Sequence, residues 1–145
     1  MSPLDRLRAS ARGDKPAVSL DLGVDASFAE LDGVQAVMLS GGELDARGSS
    51  WRRAFLEMPG LADACFEGAC LDGSSMLDPV LDGADFFGAS LRDVVWSSPL
   101  ATEARFDEAD LAGATLDGGA FRDATFRDAC LAGASVVDCG FEGCD

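Results

Sequence analysis

Ala64-Cys65-Phe66-Glu67-Gly68-Ala69-Cys70-Leu71-Asp72-Gly73 is two cycles of a five-residue rhythm that continues to the end of the chain. Every fifth residue from Phe66 runs Leu71, Met76, Leu81, Phe86, Leu91, Trp96, Ala101, Phe106, Leu111, Leu116, Phe121, Phe126, Leu131, Val136, Phe141, and fifteen of these sixteen are large and apolar. The residue two before each is nearly always small, as at Ala64, Ala69, Ala84, Ala89, Ala104, Ala109, Ala114, Ala124 and Ala129. A spacing of two puts both side chains on one face of an extended segment. The next small residue comes three later, so alternation fails once per repeat and the chain must turn there. Glycine or aspartate recurs two after the large residue, at Gly68, Gly73, Gly83, Gly88, Gly113 and Gly118, where a turn is wanted.

A longer period counts the sides of the coil. Phe66, Phe86, Phe106 and Phe126 recur every twenty residues, as do Leu71, Leu91, Leu111 and Leu131. Pro59, Pro79 and Pro99 recur at the same interval. Four sides and twenty residues per coil would stack these as ladders. The segments Ala69-Cys-Leu-Asp-Gly73, Ala84-Asp-Phe-Phe-Gly88, Ala109-Asp-Leu-Ala-Gly113 and Ala124-Thr-Phe-Arg-Asp128 carry the A-(D/N)-L-x-x pattern. In this the sequence resembles the pentapeptide-repeat family. The resemblance implies an all-β fold, a right-handed four-sided parallel β-helix, over about residues 34–145.

Upstream, Trp51, Leu56 and Leu61 keep the register, whereas Val34, Leu39 and Leu44 step by five with a phase offset by two. This predicts an insertion or loop near 45–50. The expected organisation is a non-repeat N-terminal segment over 1–25, a cap or disordered, and a β-helix over 26–145 that is regular from about 51. Ser2 and Pro3 suit the N-cap and first position of a short helix carrying Leu4, Leu7 and Arg8. Ala101, the one small residue in the large-residue series, predicts a local defect or bulge.

Composition narrows function. The 145 residues hold 48% apolar residues, no histidine, no tyrosine and a net charge of −15. Histidine-dependent triads and histidine-ligated metals are excluded. Direct nucleic-acid binding and an anionic membrane surface are disfavoured by the charge. With no apolar run of spanning length and no signal-peptide pattern, the expected compartment is the cytoplasm. Cys65, Cys70 and Cys130 fall outward, Cys139 and Cys144 in the small inward position, with no metal-site spacing. No catalytic residue, cofactor or metal is expected, because a side-chain-filled tube offers no cleft.

The charge is uneven. Residues 1–53 carry seven basic and eight acidic residues, and 54–145 carry four and eighteen. The densest acidic candidates for a partner-binding surface are Glu103, Asp107, Glu108 and Asp110, with Asp117, Asp123 and Asp128 nearby. Leu77, Val80 and Leu100 form a candidate apolar contact patch. The resemblance implies precedents: quinolone-resistance and albicidin-resistance members are acidic rods that bind DNA gyrase. The expected function is therefore a non-enzymatic DNA mimic that engages gyrase or another topoisomerase and confers resistance to an antibiotic directed at it. The alternative is a scaffolding module whose acidity serves solubility. The sequence shows neither the C-terminal dimerisation helix of the quinolone-resistance members nor a long central loop. A homodimer through the last coil is the expected assembly.

Overall fold

The computed structural model describes residues 1–13, 15–23 and 25–145. An N-terminal helix, α1 (Pro3–Ser10), precedes seven short strands: β1 (Ala17–Val18), β2 (Gln35–Val37), β3 (Phe55–Glu57), β4 (Ser75–Leu77), β5 (Val95–Ser97), β6 (Thr115–Asp117) and β7 (Ser135–Val137). The strands form one parallel sheet in sequence order. From β2 onward each residue pairs with the one twenty later, as in Leu56↔Met76 and Trp96↔Leu116. Isolated bridges such as Cys65↔Asp85 and Ser90↔Asp110 repeat that offset on the other sides. The chain is a four-sided parallel β-helix, as the ladders predicted.

The four faces are named here by their central inward residues. Face A holds Leu31, Trp51, Leu71, Leu91, Leu111 and Leu131. Face B holds Ala36, Leu56, Met76, Trp96, Leu116 and Val136, and contains β2–β7. Face C holds Gly41, Leu61, Leu81, Ala101, Phe121 and Phe141. Face D holds Ala26, Ala46, Phe66, Phe86, Phe106 and Phe126. Central residues and the small residues two before them are buried from Ala26 to Ala124. Phe66, Phe86, Phe106 and Phe126 stack face to face at 4.9–5.1 Å between centroids, and Phe121 stacks on Phe141 at 5.0 Å. Such burial contributes ~1.5–3 kcal/mol per large side chain, offset by chain ordering.

Three backbone amides per repeat donate to neighbouring coils. The Phe66 amide donates to the Asp85 carbonyl and the Cys65 amide to the Leu44 carbonyl, at 2.7 and 2.8 Å. The third is that of the corner residue, as in the Gly68 amide to the Phe87 carbonyl at 3.0 Å. Corners are made by a left-handed residue two after each centre. Gly68 and Gly73 serve there at φ +65° and +69°, and so do Asp63, Glu103 and Met58 at +58°, +58° and +50°. On faces A, C and D the corner closes with an i→i+3 bond, such as the Ala69 amide to the Phe66 carbonyl at 3.0 Å, as in a type II turn. Among the described residues the corner from face B to face C makes no such bond. Pro59, Pro79 and Pro99 lie in that column, where a missing N–H costs no turn hydrogen bond.

The structure replaces the expected insertion at 45–50 with an unbroken register: Asp45 pairs with Cys65 and Ser50 with Cys70. Large and small residues have exchanged slots there. Val34, Leu39 and Leu44 occupy the usually small position, and Ala36, Gly41 and Ala46 the centre, with these residues buried. A Cβ on Gly41 would stand 3.2 Å from that of Leu44, which shows how tightly the exchange is packed. Ala101 makes no bulge either. It is fully buried and its amide donates to the Ala120 carbonyl at 2.8 Å. The same coil carries Trp96 on the preceding face, so a small residue follows the largest one.

The coil also begins before residue 26. Ala17↔Ala36 and Asp21↔Ser40 pair with an offset of nineteen, and Asp25↔Asp45 with twenty, so the first coil is one residue short. Helix α1 covers this end. Ser2 caps it in a reciprocal capping box with Asp5, Pro3 follows, and Leu7 is fully buried. The Ser10 hydroxyl accepts the Gln35 amide at 2.9 Å and donates to the Leu7 carbonyl at 2.6 Å, tying the helix to β2. At the other end the inward residues emerge into solvent. Leu131, Val136 and Phe141 are 44%, 43% and 41% exposed, where Leu111, Leu116 and Phe121 one coil earlier are buried.

Candidate interaction surfaces

Every outward residue has a fixed address, a face and a coil, so the structure sorts the candidates without ambiguity. Glu103 and Asp123 share the corner between faces C and D, one coil apart. Glu108 and Asp128 share the corner between D and A, and Asp107 lies on face D between them. Asp110 falls on face A, and Asp117 on face B, opposite face D. Five of the seven thus gather around face D, and Asp110 and Asp117 stand apart from them.

Face D is not uniformly negative. Arg105 bridges Asp85 and Asp107 at 3.5 and 3.2 Å and lies 4.3 Å over the Phe87 ring. Asp107 also accepts the Arg127 amide at 3.0 Å, and Arg127 pairs with Asp145. Burial opposes ionisation of Asp107, but hydrogen bonds from Thr125, the Arg127 amide and Arg105 outweigh it and hold its carboxyl below the ordinary value. Face A is similarly laced: Arg92 pairs with Asp110 at 3.4 Å, and Asp32 and Asp72 accept the amides of Arg52 and Arg92. On these two faces arginines pair with Asp45, Asp85, Asp107, Asp110 and Asp145, while Glu67, Glu108 and Asp128 have no ion pair among the described residues.

The highest ratio of acidic to basic residues lies on face C and its two corners, which composition by repeat did not single out. Glu43, Asp63, Glu103 and Asp123 form one corner column, and Asp78 and Asp138 stand in the other, with Asp82 and Glu142 between. Against these eight carboxylates the face carries one basic residue, Arg122, paired with Glu142 at 3.2 Å. No other ion pair involves them among the described residues. The signal was present in the sequence as the column address of each acid, but it becomes readable only once the corners are known to point outward.

Val80 and Leu100 of the candidate apolar patch do pair on face C, and Leu100 is 48% exposed. Leu77 lies on face B, around the corner occupied by Asp78. The five cysteines are free thiols. Cys139 and Cys144 point inward at the last coil, where the Cys139 sulfur accepts the Gly119 amide at 3.3 Å. Among the described residues no cluster of three metal-ligating side chains occurs, and no helix is long and apolar enough to cross a membrane.

A family model for pentapeptide repeats matches residues 104–143 in eight copies. No curated protein matches the sequence. Among solved structures, full-length QnrB1, a plasmid-mediated fluoroquinolone resistance protein, is 18% identical with a TM-score of 0.43, over 88% of this chain and 75% of that one. Rfr23, a pentapeptide repeat protein from the cyanobacterium Cyanothece 51142, is 13% identical with a TM-score of 0.42, over 97% of each chain. HetL from Nostoc sp. strain PCC 7120, a pentapeptide repeat protein involved in heterocyst differentiation regulation, is 18% identical with a TM-score of 0.28, over 99% and 96%.

Proposed function

We propose that this chain, whose residues 104–143 match the pentapeptide-repeat family model, is a non-enzymatic binding protein, a rod with faces set by its repeats, that offers face C in place of duplex DNA. Its partner on this reading is a DNA-binding enzyme such as gyrase or another topoisomerase. The observation that supports it is the pair of corner columns holding Glu43, Asp63, Glu103 and Asp123 on one side and Asp78 and Asp138 on the other, with almost no basic residue between. Coils rise ~4.8 Å, against about 3.4 Å between phosphates of one strand along the DNA axis. A basic saddle would be steered to such a surface with strong salt dependence. Protection of the enzyme from a drug directed at it would follow, and the protein would work in the cytoplasm.

The reading includes a dimer. Leu131, Val136 and Phe141 at the last coil would be covered by the same coil of a second copy, placing two face C surfaces end to end. Light scattering of the protein and of Val136→Asp tests it, and a monomer at high concentration for the parent chain sinks it.

The first experiment titrates gyrase supercoiling with the protein, with and without a quinolone. Inhibition, or protection from drug-stabilised cleavage, should fall steeply with salt and disappear in Glu103→Gln/Asp123→Asn. No effect at large molar excess removes gyrase. Salt-tolerant binding lost on Leu100→Asp would assign the face C contact to the Val80–Leu100 pair and a scaffolding role instead.

A further inference from the structure

Face B is chemically unlike the other three. Its outward residues and its corner with face C run Gln35, Val37, Met38; Phe55, Glu57, Met58; Ser75, Leu77, Asp78; and Val95, Ser97, Ser98. Phe55, Met38, Met58 and Val95 are 39–47% exposed, and Val18, which pairs with Val37, is 53% exposed. Register places them together: Val18, Val37, Glu57 and Leu77 make one row, Phe55, Ser75 and Val95 the next, and Met38 and Met58 stack at the corner. A contiguous exposed apolar surface of this kind marks a contact site.

The charge on the face specifies the occupant. Over 34–38, 54–58, 74–78, 94–98, 114–118 and 134–138 there are four carboxylates, Glu57, Asp78, Asp117 and Asp138, and no lysine or arginine. Glu57 is the telling one. It is half-buried, its register neighbours are Val37 and Leu77, and no cation pairs with it among the described residues. A carboxylate set into an apolar surface is matched by a partner that brings a lysine or arginine flanked by apolar side chains.

The spacing selects the partner's conformation. Coils advance ~4.8 Å and an α-helix advances about 5.4 Å per turn, so a helix lying along the rod axis sets one side chain against each coil for three or four turns. From Val18 to Val95 the patch crosses five coils, about 19 Å at that strand spacing, which a helix of about 13 residues spans. Methionines at the corner suit a helix-receiving surface because their side chains adapt to the incoming shape. We propose that face B, from β1 to β5, is a docking site for a basic amphipathic helix of a protein partner, with a lysine or arginine of that helix seated on Glu57. The site shares the corner column of Met38, Met58 and Asp78 with face C and does not use the opposite column of Glu43, Asp63, Glu103 and Asp123.

The test uses an 18-residue amidated helix of leucine, lysine and alanine. Its leucines sit at i, i+3, i+4 and i+7 spacing, with one lysine inside the leucine stripe. A scrambled peptide of the same composition is the control. Amide chemical shifts of the full-length protein are recorded on titration of each peptide. Perturbations are expected at 35–38, 55–58, 75–77 and 95. Glu57→Gln should weaken binding by more than about tenfold, as truncation of a desolvated charge pair does, and Phe55→Ser/Met58→Ser by at least about tenfold. Glu103→Gln/Asp123→Asn should leave it unchanged. The proposal is overturned if the scrambled peptide binds as well, if shifts map to face C, if Glu57→Gln is silent, or if the amphipathic helix does not bind.

Discussion

Asp93 lies directly beneath Gly113: they occupy the same corner one coil apart, and a Cβ on Gly113 would overlap the Oδ1 of Asp93. Asp63 and Gly83, and Asp123 and Gly143, repeat the arrangement. In these three pairs a left-handed aspartate leans over a bare corner on the next coil, whereas Glu103 and Asp123 stack as two left-handed corners that both carry side chains.

Gly113→Ala should therefore lose stability twice, from φ +71° and from the contact with Asp93. Gly88→Ala, at φ +63° with nothing within 4 Å, loses only the first. Left-handed backbone costs an L-residue about 1–2 kcal/mol. Gly88→Ala should lie within that range by denaturant unfolding and Gly113→Ala beyond it. Equal losses would show that the Asp93 side chain swings away freely.

Phe106 is stacked on both sides, by Phe86 at 5.1 Å and Phe126 at 4.9 Å, and is fully buried. Phe106→Ala should cost about 3–5 kcal/mol, the usual range for a buried phenylalanine. Phe126→Ala, at the partly covered last coil, should cost clearly less. The comparison is read from denaturation midpoints at matched slopes.

Trp51 and Trp96 make a natural experiment in the core. The Trp51 Nε1 donates to the Ser49 hydroxyl at 2.8 Å, whereas the Trp96 Nε1 is buried without a partner, and the residue two before it is Val94. Val94→Ser supplies the missing acceptor. It should be more stable than Val94→Ala by about 1 kcal/mol, the net worth of a hydrogen bond. Val94→Ser no better than Val94→Ala in thermal unfolding would refute this.

The Ser2 hydroxyl and amide hold the Asp5 carboxyl below its ordinary 3.8. A lowered folded value means this contribution is complete above about that pH and is lost as pH falls through the lower value. Below pH 3.8 the first turn of α1 should fray, and exchange at the Gln35 amide, held by Ser10, should speed up. Asp5→Asn should show the fast exchange at neutral pH. A pH-independent Gln35 amide would count against the link.

The ladders and corners of this fold were legible because each address repeats many times: the phenylalanine and leucine columns give the coil length, and the glycines give the corners. Between Val34 and Ala46 legibility failed for a packing reason. The tube needs one large and one small residue per side, and either slot can hold either, so the exchange looks like a shift of frame. The acidic surface was half legible. Glu103, Asp107, Glu108, Asp123 and Asp128 do gather around face D. The pairing of Arg105 with Asp85 and Asp107 joins residues two and twenty positions apart, which a net charge per segment averages away. Met38 and Met58 were read over because a methionine at a left-handed corner has no propensity signal.

From β2 to β7 the pairing offset never leaves twenty. Chain length in this rod is therefore quantised. Removing or duplicating twenty residues shortens or extends it by one layer and keeps every column in phase. A change of five, ten or fifteen preserves the tube but rotates all later surface chemistry by one, two or three faces. Between β2 and β7 any other number throws the buried column outward; the offset of nineteen occurs only in the first coil. Variation in such a molecule has two separate grammars, one for how long it is and one for what it displays, and only the second can drift residue by residue.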